Sequence, residues 1–65
     1  MISDLDIYRA AQVLIDQHGE LAYMQAVKRR DRMRRKRDAG GELTWNRVIT
    51  AVVRLVGDDG RGAVH

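Results

Sequence analysis

Cysteine is absent from this chain, which removes disulfides, thiolate zinc sites and thiol nucleophiles from consideration. Proline and phenylalanine are absent too, while Ala, Arg, Leu and Val are plentiful, a composition that favours helix throughout. Histidine occurs only at His18 and His65, too few imidazoles for a monomeric transition-metal site in a chain without thiolates. No apolar run approaches the roughly 20 residues that cross a bilayer. The first residues, MISDLDIYRAAQ, are acidic and amphipathic, whereas a secretory signal needs a basic start and an unbroken apolar core. Together these absences predict a soluble, cytoplasmic protein with no membrane segment, metal or cofactor.

What is present is small and unevenly charged. At 65 residues the chain makes one domain at most. A domain of this size buries only about 60% of the surface its unfolded chain exposes, so its stability alone is marginal. The net charge of +3 conceals a division. In the eleven residues from Lys28 to Asp38, eight are Lys or Arg and two are Asp, a net of +6. The remainder carries a net of −3.

Three helices are predicted in order. Ser3 and Asp6 have capping-box spacing, with Asp in place of the usual Glu or Gln, and Ile2 and Ile7 have the spacing of a hydrophobic staple. Ile7, Ala11, Leu14, Ile15 and His18 then form one stripe, with Tyr8 at its edge, and Gly19 closes the helix. The second helix, from about Glu20 to Arg37, places Ala22, Tyr23, Ala26 and Met33 on the same side as Arg30, Arg34 and Arg37. Lys28, Arg29, Arg32, Arg35 and Lys36 take the remaining surface. The glycines of AGGE, Ala39 to Glu42, read as a break. The third helix, from Glu42 or Thr44 to Val56, sets Arg47, Thr50 and Arg54 on one face and Trp45, Val48, Ile49, Val52, Val53, Leu55 and Val56 over the rest. Gly57 reads as its stop and residues 58–65 as a disordered tail.

The expected architecture is therefore an all-α, three-helix domain over residues 1–57. The first two helices form an antiparallel hairpin about Gly19, with the third packed across it. In that hairpin Asp4 and Asp6 lie beside the arginine-rich end, and Glu42 joins them around Arg30, Arg34 and Arg37.

The segments IYRAAQVLIDQHGELA and AGGELTWNRVITAVVRL resemble a family of short alphaproteobacterial helical proteins of unknown function. The shared pattern falls on Tyr8, Ala11, Leu14, Ile15, His18, Gly19, Gly41, Trp45, Val48 and Ala51, and the resemblance covers about residues 5 to 56. It implies a small helical fold and no activity.

Each candidate for chemistry has a plainer structural reading. His18 fits the apolar face of a helix end beside unpaired carbonyls. Ser3, the one serine, fits a cap. No carboxylate pair shares an apolar face, as a tuned acid–base pair would require. GDDGRG neither follows a strand nor opens a helix, so it is no phosphate loop. Trp45 fits the core better than a base-stacking platform.

The arginine run divides more evenly. Asp31 and Asp38 interrupt it and no aromatic lies within it, which favours a solvated or protein-contacting face. Its charge density favours phosphates. The sequence thus predicts a non-catalytic protein-interaction module with no small-molecule substrate. The alternative is a nucleic-acid-binding accessory protein using Lys28, Arg29, Arg32, Arg35 and Lys36. The wide apolar arc of the third helix further predicts a homodimer through Val48, Val52, Leu55 and Val56.

Overall fold

A computed structural model describes the backbone of residues 2–64 and the side chains of residues 2–57. The chain is all-helical over the described residues: α1 spans Asp4–His18, a 3-10 turn Gly19–Leu21, α2 Ala22–Arg35 and α3 Ala39–Val64. Where the sequence predicts three separate helices, the backbone makes two helical runs, 4–35 and 39–64, and passes from α1 into α2 without a loop.

The start of α1 follows from its sequence. Ser3 is extended, and its hydroxyl accepts the Asp6 amide at 3.2 Å. Asp4 and Asp6 add negative charge where the helix dipole is positive. Of the two residues with staple spacing, Ile7 is buried and Ile2 is exposed. The end of α1 is Gly19, at φ 55° and ψ −121°, whose amide reaches the Ile15 carbonyl. An L side chain is strained at that φ, so glycine sets the corner between α1 and α2.

The second break is displaced from the expected place. AGGE belongs to α3 rather than to a loop, because Asp38 caps that helix: its Oδ1 accepts the Gly41 amide and its carbonyl accepts the Glu42 amide, both at 2.9 Å. The reversal is made by Lys36 to Asp38. The Asp38 amide donates to the Met33 carbonyl at 2.9 Å and the Arg37 amide to the Arg34 carbonyl at 3.0 Å. This is the paired bonding of a Schellman end, with Arg37 at φ 61° in the position glycine usually fills. Gly41 has a packing role. A Cβ there would come within 2.7 Å of an Asp38 carboxylate oxygen and 2.8 Å of the Met33 sulfur, so its absence lets the end of α2 close on the start of α3.

Gly57 does not stop α3, whose helical backbone continues to Val64. A glycine within a helix costs about 1 kcal/mol against alanine and does not by itself end one. The tail expected over residues 58–65 thus falls on helical backbone as far as Val64, and its side chains and residue 65 lie outside the described residues.

The core is assembled from short side chains. Ile7, Ala11 and Leu14 of α1, Ala22 and Ala26 of α2, and Val48, Ala51 and Val52 of α3 are buried together. Ala10, Ile15, Trp45, Ile49 and Leu55 close its edges. Alanine at Ala11, Ala22 and Ala26 lets helix backbones approach closely, and dispersion contacts at short range then replace the area that large side chains would bury. The α2–α3 interface is the most extensive, α1 packs next on α3, and its contact with α2 is the smallest of the three.

That order overturns the expected charge register. Asp4 pairs with Arg47 of α3, not with Arg34 of α2. Glu42 alone of the three named carboxylates reaches the arginine end, where it accepts from Arg34 Nε at 2.9 Å. Tyr23, expected on the inner side of α2, is 52% exposed.

Candidate functional site

The cations of α2 divide by helical geometry. At about 100° per residue, Ala22, Ala26, Arg30 and Met33 share the side toward the core. Arg30 is half-buried there; its Nη1 reaches Asn46 Oδ1 at 3.4 Å, while Nε and Nη2 donate to Asp31 Oδ1 at 3.2 and 3.1 Å. Arg34 is held by Glu42 across the α2–α3 turn. These two arginines, with Arg47 on Asp4, account for the ion pairs among the described residues.

Lys28, Arg29, Arg32, Arg35 and Lys36 lie elsewhere. All five are exposed, and none forms an ion pair among the described residues. The same wheel places them within an arc of about 120°, and eight helical steps at 1.5 Å make the stripe about 12 Å long. The expected spread over the remaining surface is thus a single face. Arg32 and Arg35 stand in the last turn of α2, where a cation gains from the helix dipole. Lys28 and Arg29 stand earlier, beyond the reach of that explanation.

Arg29 borders the face toward α3. Its guanidinium carbon lies 5.3 Å from the centre of the Trp45 ring. Trp45 is half-buried at the edge of the core, so this contact orders one end of the cationic stripe and worth is of the order of 0.5–1 kcal/mol. Trp45, expected in the core, packs on its edge and lies under a cation of the second helix. Val48 and Val52 are the largest fully buried side chains instead.

The residues assigned to a dimer interface separate in the same way. Val48 and Val52 are each 1% exposed in the single chain, so they belong to its core and are not available to a second copy. Leu55 is half-buried, and Val56 is exposed. Val56 lines an apolar groove of about 370 Å³ together with Tyr23, Val53, Gly19 and Gly57. Sequence periodicity found the apolar excess of α3 but not its location, since the wheel alone does not say which part of an arc two neighbouring helices cover.

A smaller cleft of about 240 Å³ opens between α1 and α3, where Tyr8, Arg47, Thr50 and Arg54 meet Asp4. His18 is half-buried in the last turn of α1. No helix is long and apolar enough to cross a membrane, and no group of three or more His, Cys, Asp or Glu side chains gathers as metal ligands, among the described residues. Compared with protein-family models, curated proteins and solved structures, the chain matches none.

Proposed function

We propose that this chain is a non-catalytic interaction module of the cytoplasm whose docking surface is the cationic face of α2, and that the partner is polyanionic. The observation that carries this reading is the exposure of Lys28, Arg29, Arg32, Arg35 and Lys36 on one arc with no acidic partner among the described residues. The nearby acids leave this arc uncovered: Glu42 and Asp31 take Arg34 and Arg30, which lie off it. The unit that carries the face is an all-helical domain, in which α1 and α2 form an antiparallel hairpin about Gly19 and α3 packs across both. Joint burial of Leu14, Ala22, Ala26 and Val52 supports that arrangement. The resemblance to the short alphaproteobacterial helical family accords with it, since Ala11, Leu14, Val48 and Ala51 of the shared pattern are all core residues. The test is binding of the whole chain to heparin at low and high salt. Retention that is lost as salt rises supports a polyanion partner, and no retention at about 50 mM salt, where such attraction is strongest, contradicts it.

A second reading, self-association, is favoured by one observation: Tyr23, Val53 and Val56 are each about half exposed around one apolar groove. Homodimers meeting through the same patch are the commonest assembly, and burying this patch would add to a marginal core. The proposed interface is therefore Val53 and Val56 with Tyr23, in place of Val48, Val52 and Leu55, which packs against the chain's own core. Sedimentation equilibrium at micromolar concentration is expected to give twice the 7.4 kDa chain mass. Val56→Glu is expected to restore one chain mass, and a single-chain mass for the unaltered protein would refute the dimer.

A further inference from the structure

We infer that the polyanion taken by α2 is the phosphate backbone of duplex nucleic acid, bound without regard to sequence; this rests on the reading of α2 as a docking face. The composition of the face argues for phosphates over an acidic protein. A stable protein interface has an apolar centre with a polar rim, and from Lys28 to Lys36 the exposed arc carries cations alone, while Met33, the apolar residue of that stretch, turns toward α3. Such a surface has nothing to bury against a protein, yet it needs nothing more to neutralise phosphates, because the gain is the release of condensed counterions. The shape argues the same way. The face is convex, on a helix about 10–12 Å across with its side chains, and the major groove of B-form DNA, about 12 Å wide, admits such a helix between its two phosphate backbones.

Two features separate duplex from single strand. Duplex DNA presents one charge per about 1.7 Å of axis, against 3.4 Å for one strand. Single-strand binders add aromatic platforms on which bases stack. Here no aromatic lies on the arc, and Arg29 already covers a face of the nearby Trp45 ring. Phosphate contacts position a protein and specify no sequence, so unrelated duplexes are expected to bind alike.

The test is fluorescence anisotropy of the whole chain with two unrelated 20-base-pair duplexes, with one single strand of equal length, and with poly-glutamate, from 50 to 200 mM salt. If all five cations contact phosphates, duplex affinity should fall about 500-fold across that range, following a slope of about −0.9 per phosphate. The triple variant R29Q/R32Q/R35Q should fall only about 12-fold, with two contacts left. R29K/R32K/R35K should keep the steep slope, and R9Q/R54Q, which alters cations off the face, should leave it unchanged. Unaltered circular dichroism of each variant separates lost binding from lost fold. Several results would overturn the inference: an unchanged slope in the glutamine variant, a preference for the single strand, or a strong preference for one duplex. Binding to poly-glutamate without binding to duplex would also overturn it and leave the docking face standing; binding to neither overturns both.

Discussion

Arg37 occupies a conformation that its side chain disfavours. Its φ of 61° is the left-handed region, where an L residue is less stable by about 1–2 kcal/mol. Arg37→Gly is therefore expected to stabilise the fold, by about 1 kcal/mol once the greater freedom of glycine in the unfolded chain is set against it. Urea denaturation measures this, and a loss of stability would show that the Arg37 side chain makes a contribution the turn geometry does not reveal. The next residue works in the opposite direction. Asp38→Ala should destabilise by about 1 kcal/mol, the usual worth of an N-cap carboxylate, since the Gly41 amide loses its acceptor. Arg37 and Asp38 also explain why the break between α2 and α3 falls ahead of the glycines that mark it in the sequence. Glycine is the ordinary marker of a helix end, and AGGE offers two. The Schellman end is nevertheless made by an arginine, and the glycines that follow sit inside the next helix. The signal that was there to read was Asp38, a capping residue immediately before the new helix.

At the scale of elements, the interfaces depend on smallness. Ala26 is 0% exposed between α2 and its neighbours, and Gly41 admits Met33 where a Cβ would collide. Enlarging either position forces the helices apart. Ala26→Leu is expected to destabilise by about 1–3 kcal/mol or more, the range for overpacking a close-packed site. Its circular dichroism melt should fall accordingly, and an unchanged melting temperature would mean that α2 is free to move off α3. Periodicity made much of this legible: Ile7, Ala11, Leu14, Ala22, Ala26, Val48 and Val52 all lie on predicted apolar faces and are all buried. Crossing geometry was not legible. The expected hairpin register put Asp4 by Arg34, but α1 leans on α3 and Asp4 meets Arg47. Local spacing fixes which face of a helix is apolar, whereas the angle at which two faces meet depends on side-chain sizes from all three helices at once.

For the whole molecule, the division of charge seen in the sequence becomes a division of surfaces. The cationic arc of α2 and the apolar groove bounded by Tyr23, Val53 and Val56 are the two exposed features most unlike a neutral, well-mixed surface. The helical wheel already sets Arg30 and Arg34 apart from Arg29 and Arg32; what the run does not show is that Asn46, Asp31 and Glu42 are placed against the first two. The most direct measurement is a nuclear magnetic resonance titration of the isotope-labelled chain with long-chain inorganic polyphosphate, following each backbone amide. The account predicts shifts concentrated between Lys28 and Lys36, together with the indole signal of Trp45 beneath Arg29. Shifts centred on Tyr23, Val53 and Val56, or none at about 50 mM salt where phosphate attraction is strong, would contradict it.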